Sequence, residues 1–354
     1  MMVNSSFINS CVRTAVVWLL IAAGTVEAVW GLLQVYGYEP SKHSLYALTG
    51  SFYNPGPYSG FLAMCLPLAL DEWLKGERVW KHIALAALVL MLLVLPSGMS
   101  RTAWVAALVA SGYVLAMHRR KEVGAFLSRH WKGVSAGVLL LVVLGIGAYH
   151  WKKDSADGRL LIWKVAANYV RLPWNGLGWE NVAGAYGDGQ ERYFASGKGT
   201  EQEAYVAGAP EYVFNEYLQV GLAWGVPAML GIVIVVIVCF SWGHSSRQYG
   251  VCGALLSLAV FAFASYPFQF LEFILSFLAL LVACAMGYRA VRRAKACEGI
   301  AVQAKRSPSW AFAPRWPWCW LISKAWCPLS TPRCRVSSWD CPTWPSFSFF
   351  TATV

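Results

Sequence analysis

Charged side chains are scarce in this sequence, where they make up 13% of the residues while 57% are hydrophobic. A soluble domain usually has about a quarter of its residues charged. The mean hydropathy of +0.47 points the same way. The shortage of charge excludes an ordinary soluble domain and predicts an integral membrane protein.

The sequence also lacks the spacings that cysteine sites require. Its ten cysteines form no CxxC pair and no Cys/His zinc spacing, and several lie within apolar runs. This pattern indicates neither a disulfide framework nor a zinc site. Asp154 and Asp157 are the acidic pair nearest to a metal-ligand pattern, but beside two lysines they are more typical of solvated charges. We expect no metal and no cofactor.

Long apolar runs are abundant and predict an all-α, polytopic transmembrane bundle. A span needs roughly 17 to 25 apolar residues, and on that measure there are about eight candidates. They lie at residues 15–36, 58–74, 82–96, 102–118, 133–150, 212–240, 251–267 and 268–288. The first run is too long for the apolar region of a signal peptide, so we expect it to be retained.

The net charge of +11 arises from basic residues in the short loops between these runs. Basic residues in such loops are typical of the cytoplasmic side of a membrane protein, and this placement argues against a nucleic-acid partner. It predicts that the long polar loop, at about 151–211, faces the periplasm from a bacterial inner membrane. The cytoplasmic basic residues are Arg13, Lys75, Arg78, Lys81, Arg119, Arg120, Lys121, Arg129, Lys132, Arg247, Arg289, Arg292, Arg293 and Lys295.

Histidine is rare on the outward side, where only His43 and His150 are expected. A histidine general base therefore has few candidates. Two acids are of interest at membrane depth, Glu27 within the first predicted span and Glu272 near the outer end of the last. Each is a candidate base, a partner for an arginine, or one end of a buried hydrogen bond between helices.

The two outward turns before the long loop differ from ordinary connections. Residues 50–60 are dense in Gly, Pro and Asn, which predicts a rigid turn, either a plain connection or a substrate-facing one. The next turn ends at Arg101 between short helices, so this arginine is expected at headgroup depth or deeper. A charge at that depth favours a functional role, here the binding of a lipid-linked phosphate. The alternative is an arginine that reaches out to bulk lipid phosphate.

In the long loop, apolar residues after Arg159 recur at the spacing of a helix that lies along the membrane surface. Its predicted start is at Asp157 and Gly158. Lys164 and Arg171 recur on the polar side. The competing interpretation is an ordinary interfacial helix whose charges face water.

The last 58 residues, 297–354, differ from the predicted membrane domain at 1–296. They are rich in Trp, Pro and Cys and follow no helical or strand period. We interpret this tail as unstructured or as a frame-shifted read-through. The rival interpretation is an aromatic tail at the membrane surface.

Several short segments follow one another in an order that resembles the O-antigen ligase and O-antigen polymerase family. They are residues 50–57 (GSFYNPGP), 100–104 (SRTAW), 158–159 with 163–164, 173–178 (PWNGLG) and 215–219 (NEYLQ). The resemblance implies a periplasmic transfer, without a metal, of a glycan from undecaprenyl diphosphate to lipid A core, another glycan or a protein.

The resemblance also assigns residues. Arg101 and Arg159 match the outward arginines thought to hold the donor diphosphate, and these two are the predicted catalytic residues. The predicted substrate-binding residues are Lys164, Arg171, Asn215, Glu216 and Tyr217.

The chain departs from the family pattern in two ways. Phe214 stands where many relatives have a histidine base, which leaves Glu216, Glu211 and His150 as candidate bases. Relatives also commonly have more N-terminal spans. The alternatives to an active transferase are a lipid-linked polysaccharide transporter or flippase, and an inactive truncated member. The sequence does not choose among acceptors or oligomeric states.

Overall fold

The structure is a computed structural model that describes residues 5–133, 135, 137, 139, 147, 153–171 and 173–306. These residues form an all-helical protein, and none of them lies in a β-strand. The α-helices are α1 (Ser5–Val35), α2 (Pro55–Lys75), α3 (Arg78–Val94), α4 (Arg101–His118), α5 (Arg120–Arg129), α6 (Lys153–Val165), α7 (Val182–Ala195), α8 (Glu201–Val206), α9 (Glu216–Trp224), α10 (Val226–Ser245), α11 (Tyr249–Ala262) and α12 (Leu271–Arg306).

Four described segments are long and apolar enough to cross a membrane. They are Asn9–Val35, Arg78–Gly98, Val226–Ser245 and Leu271–Ala296. The prediction of a helical protein with membrane-spanning helices is therefore supported, whereas the number of about eight spans stays a prediction. The predicted span at 133–150 falls almost wholly outside the described residues.

The bundle is built around α2, which is buried continuously from Pro57 to Asp71. This helix packs against α1, α3, α4 and α11. A buried hydrogen bond of 2.7 Å from Ser257 Oγ of α11 to the Ala63 carbonyl ties two of these helices together. The apolar side chains of α2 thus lie in the core of the bundle.

The predicted span at 212–240 is wrong, because the chain breaks there into α9 and α10. Gly225 separates the two helices with φ +93° and ψ 164°, a conformation that is essentially restricted to glycine. The apolar pattern continues across the break, so hydropathy alone does not reveal it. The predicted span at 251–267 also ends early, since α11 stops at Ala262.

The described residues between 153 and 215 take part in two small cores. One holds Ala166, Val182 and Val213 together with Leu222 and Ala223 of α9. The other holds Leu161, Val165, Tyr186 and Tyr193.

The first helix of this segment starts earlier than predicted. It begins at Lys153, so the predicted start at Asp157 and Gly158 is wrong. It continues as a π-helical turn from Ala166 to Arg171.

Residues 173–178 connect this segment to α9 through backbone hydrogen bonds. The Leu177 and Gly178 amides donate to the carbonyls of Leu222 and Ala223, and the Val226 amide donates to the carbonyl of Pro173. Gly176 has φ +78°, and a Cβ there would meet backbone atoms of α9. Glycine at position 176 therefore allows the backbone of residues 173–178 to approach the backbone of α9 closely.

The chain divides into two compact units, Met1–Cys297 and Glu298–Val354. Beyond Arg306 the second unit lies outside the described residues, so the predicted tail remains a prediction.

Candidate active site

One end of the bundle collects the turns 36–54 and 95–100 together with the segment 153–215; we call it the loop end. Side chains of α1 fasten the first of these turns. Gln34 Oε1 accepts hydrogen bonds from the amides of Thr49 and Gly50 at 2.9 and 2.8 Å. Glu27 Oε2 accepts one from the Ser51 amide at 3.1 Å. Glu27 thus holds the turn through a hydrogen bond to a backbone amide, a role that differs from the three considered for it in the sequence.

Arg101 is the first residue of α4, and the turn before it is tightly specified. Ser100 caps the helix by accepting from the Ala103 amide at 3.4 Å, and Met99 adopts a left-handed φ of +50°. The N-terminus of a helix is the positive end of its macrodipole, so it disfavours a cation and favours an anion. A guanidinium at this point is well placed to bind an anion.

Arg159, on α6, points toward the same turn. Its Nη1 lies 3.4 Å from Thr102 Oγ1, and its guanidinium lies 5.4 Å from the centre of the Phe214 ring. Burial lowers the pKa of Arg159, and the nearby Arg101 lowers it further. An arginine stays protonated regardless, so the two positive groups repel each other, and an anion bound between them would reduce that repulsion.

A cavity of about 480 Å³ has both arginines in its wall. We call it the arginine cavity. A second cavity of about 250 Å³ shares Tyr46, Asn54 and Arg159 with it and extends toward Phe214 and Tyr266. The structure therefore brings together the two predicted catalytic residues, which are 58 positions apart in the sequence. The space beside them has room for a charged group and part of a larger ligand.

Aromatic residues form one side of the second cavity, and sequence reasoning missed most of them. Phe214 has a left-handed φ of +53°, and its ring meets Tyr266 edge-on at 5.0 Å. Tyr266 in turn stacks on Tyr212 at 5.2 Å. Burial raises the pKa of Tyr266, so its phenol stays protonated and can donate a hydrogen bond. Nothing in the sequence near Tyr266 marks it as a site residue.

The predicted substrate-binding residue Lys164 lies in a polar cluster within residues 153–215. Its Nζ contacts Glu203 Oε1 at 2.8 Å and Tyr193 Oη at 2.7 Å. Glu203 also accepts from the Tyr193 hydroxyl and from the Thr200 amide, which completes a capping box at the start of α8. The cluster ties α6, α7 and α8 together. Lys164 lines neither cavity. The side chain of Arg171 lies outside the described residues.

This cluster predicts a local dependence on pH. Hydrogen bonds from Lys164, Tyr193 and Thr200 lower the pKa of Glu203 to about 2 from 4.5. A lowered pKa means that the stabilisation is complete above pH 4.5 and disappears as the pH falls toward 2. We expect hydrogen exchange in α8, corrected for its intrinsic rate, to speed up between pH 4.5 and 2.

The matched control is Glu201→Gln, an exposed change on the same helix that should leave this acceleration in place. Glu203→Gln should instead make exchange in α8 fast already at pH 6 and remove most of the acceleration. If Glu203→Gln behaves like the native chain, the cluster does not hold α8.

Three polar side chains of the stretch 215–219 (NEYLQ) make hydrogen bonds within the protein. Asn215 caps α9 by accepting from the Leu218 amide at 3.1 Å. The Tyr217 hydroxyl donates to the Ala259 carbonyl of α11 at 3.0 Å. Gln219 Oε1 accepts from the Val213 amide at 3.0 Å. These contacts fix the start of α9 and with it the preceding Phe214. Substrate binding by Asn215 and Tyr217 stays a prediction.

Glu216 is 1% exposed, and among the described residues its carboxyl oxygens have no hydrogen-bond partner. It faces a small apolar cavity of about 20 Å³ between α9, α10 and α11, and it lines neither cavity that contains Arg159. Burial raises the pKa of Glu216 to about 8. Its carboxyl is therefore largely protonated at neutral pH. Because it lines neither cavity that contains Arg159, it is not placed to take a proton from an acceptor there.

The other acidic candidates line neither cavity. Glu211 is exposed beside Tyr212, close to the aromatic side of the second cavity. Glu272 is exposed in the first turn of α12. His150 falls outside the described residues. His43 lies in the first turn, where its Nδ1 accepts from the Leu45 amide at 3.0 Å. Within the described part of the chain, no group of three or more His, Cys, Asp or Glu side chains is arranged to hold a metal ion.

Residues 86–233 match a family model described as O-Antigen ligase. The matched segment contains Arg101, Arg159 and Phe214, and it includes all of residues 153–215. The resemblance seen in the sequence is thus confirmed over the part of the chain that builds most of the site. No curated protein matches the chain.

Proposed function

We propose, from the O-antigen ligase match over residues 86–233, that the chain is a membrane glycosyltransferase that moves a glycan from undecaprenyl diphosphate to an acceptor hydroxyl. The observation that carries this proposal is the placement of Arg101 and Arg159 on the wall of one cavity. Two guanidinium groups match the geometry and the charge of a diphosphate.

The proposed chemistry is a displacement at the anomeric carbon of the donor. An acceptor oxygen forms the new C–O bond, the bond to the diphosphate oxygen breaks, and its electron pair stays on the diphosphate. The acceptor proton leaves to a base or to water. Arg101 and Arg159 stabilise the charge that grows on the departing diphosphate, and such stabilisation by preorganised groups lowers the barrier directly.

The aromatic side of the second cavity supports a place for the sugars. Phe214, Tyr266 and Tyr46 present rings and hydroxyl groups next to Arg159. A sugar ring packs its C–H face on such rings while a phenol donates a hydrogen bond to its oxygens. We therefore place the first sugar of the donor between the diphosphate and these rings, with the reaction on the periplasmic side of the inner membrane.

The test is a transfer assay in cells that lack their own ligase and polymerase. We expect the unmodified chain to move glycan off undecaprenyl diphosphate, and the mass of the glycosylated acceptor to tell lipid A core from glycan or protein. Build-up of lipid-linked glycan on the cytoplasmic face in cells without the chain would instead indicate a flippase. No transfer and no build-up would favour an inactive member of the family.

In the same assay Arg101→Lys should lower transfer by about tenfold or more, because a single ammonium replaces a two-pronged guanidinium. The matched control is Arg120→Lys, an exposed change on α5. Full transfer by Arg101→Lys, with the protein present in the membrane at its normal level, would mean that Arg101 does not clamp the diphosphate.

A further inference from the structure

The end of the bundle opposite the loop end is rich in basic residues. Helices α2 and α4 begin at the loop end, with Pro55 and Arg101, and finish at the opposite end, with Lys75 and His118. We call this opposite end the basic end, because the helix termini and turns there carry lysine and arginine. These residues include Lys75, Arg78, Lys81, Lys121, Arg129, Arg247, Arg289 and Arg292.

Helix α5 leaves α4 at the basic end and has two different faces. Arg119 is the single residue between the two helices, and its φ of −108° and ψ of 30° interrupt the helical geometry. Val123 and Phe126 are three residues apart and share one face, while Lys121 lies on the opposite face. The Phe126 side chain is 58% exposed. A helix with an exposed ring on one face and cations on the other is typical of a membrane interface.

Neighbouring tryptophans mark the membrane surface at this end. Trp80, in the first turn of α3, is 61% exposed and packs its ring against Trp18 at a centroid distance of 5.0 Å. Since α3 is one of the candidate membrane-spanning helices, an exposed tryptophan at its end is typical of the boundary between headgroups and hydrocarbon. Trp131, two residues beyond α5, is also 61% exposed. The apolar face of α5 thus belongs to an end of the bundle where aromatic rings meet the interface.

The charge around α5 is strongly positive. Between Arg119 and Lys132 the chain has five basic residues and one acidic residue, Glu122. Glu122 contacts Arg119 at 2.8 Å, so its charge is used within the same stretch. Each lysine or arginine near an anionic membrane surface adds to the attraction, whereas a zwitterionic surface offers no net charge.

From these faces and charges we propose that α5 is an interfacial helix that binds anionic phospholipid at the basic end. Its cations contact the headgroups, and Phe126 inserts at the boundary with the acyl chains. A phospholipid fits better than a soluble anion, because only a lipid satisfies both the charged and the apolar face. This binding surface does not involve the arginine cavity and does not depend on the proposed function.

The test measures backbone hydrogen exchange of residues 119–132 in the full chain in nanodiscs. One set of nanodiscs contains phosphatidylcholine alone, and the other contains equal amounts of phosphatidylcholine and phosphatidylglycerol. We expect exchange to be about tenfold or more slower in the mixed nanodiscs, since several basic residues add to the attraction. The difference should shrink at high salt, because exposed charges are screened.

Two variants separate the contributions of charge and ring. Lys121→Gln with Arg129→Gln should exchange about tenfold or more faster than the native chain in the mixed nanodiscs. Phe126→Ala should also speed up exchange there, because no ring inserts. The matched control is Lys153→Gln with Lys198→Gln, which makes the same change in net charge on exposed residues at the loop end and should leave the exchange of residues 119–132 unchanged.

Exchange in the core helix α2 serves as the check that every variant is folded. Equal exchange of residues 119–132 in the two kinds of nanodisc would overturn the inference, and so would native protection in the variant that lacks both charges. Protection in phosphatidylcholine nanodiscs on addition of inorganic phosphate would also overturn it, because a free anion would then suffice. The transfer assay is independent of all these results, so the proposed function is tested separately.

Discussion

Arg159→Ala is expected to lower glycan transfer by about 10²–10³-fold, which is the usual loss when one preorganised group that stabilises transition-state charge is removed. The guanidinium of Arg159 lies in the wall of the arginine cavity, next to Thr102 and over the Phe214 ring. Its partly buried position makes the interaction with a diphosphate stronger than it would be in water. The measurement is the initial rate of transfer in membranes with matched amounts of each protein.

Two further variants make this prediction specific. Arg120→Ala removes an exposed arginine of α5 and should leave the rate unchanged. Arg159→Lys keeps the charge but loses the fork and the stacking on Phe214, so it should fall between the native chain and Arg159→Ala. A native rate with Arg159→Ala would remove this residue from the catalytic role.

Gly225→Ala is expected to destabilise the fold by about 3 kcal/mol or more. The φ of +93° and ψ of 164° at this position are essentially restricted to glycine. A Cβ would also meet the Trp174 carbonyl carbon at 2.9 Å and the Gly176 amide nitrogen at 3.1 Å. Both are backbone atoms, so neither can move aside without breaking the contact between residues 173–178 and α9. The check is thermal unfolding in detergent, followed by tryptophan fluorescence.

Gly231→Ala is the matched control, because Gly231 lies within α10 and a Cβ there meets no atom within 4 Å. Alanine favours a helix over glycine by about 1 kcal/mol, so this change should be neutral or slightly stabilising. If both variants unfold at the native temperature, the close joint between α9 and α10 does not contribute to stability as the structure suggests.

The sequence predicted the early helices well, because each is an apolar run that ends in a clear turn. The run at 58–74 corresponds to α2, and Pro55 with Asn54 marks its start. The run at 102–118 corresponds to α4, whose first residue is Arg101. The sequence also points to Arg101 and Arg159, to the first by its expected depth in the membrane and to both by the family resemblance. Their convergence on one cavity depends on tertiary packing, which no local pattern encodes.

The features that the sequence did not reveal depend on contacts between distant residues. The break at Gly225 lies inside a continuous apolar pattern, so only the docking of residues 173–178 explains it. The NEYLQ stretch looks polar and exposed, yet Asn215 and Tyr217 make their hydrogen bonds within the protein. Tyr266 joins the site from beyond α11, through its contact with Phe214.

Arg101 and Arg159 are proposed to hold one diphosphate between them. A double-mutant cycle on the affinity for undecaprenyl diphosphate tests it most directly, with Arg101→Ala, Arg159→Ala and the double variant compared with the native chain. Groups that share a ligand are energetically coupled, so we expect each single variant to weaken binding and the losses in the double variant to be non-additive. Native affinity in either single variant, or two losses that simply add, would contradict a shared diphosphate site.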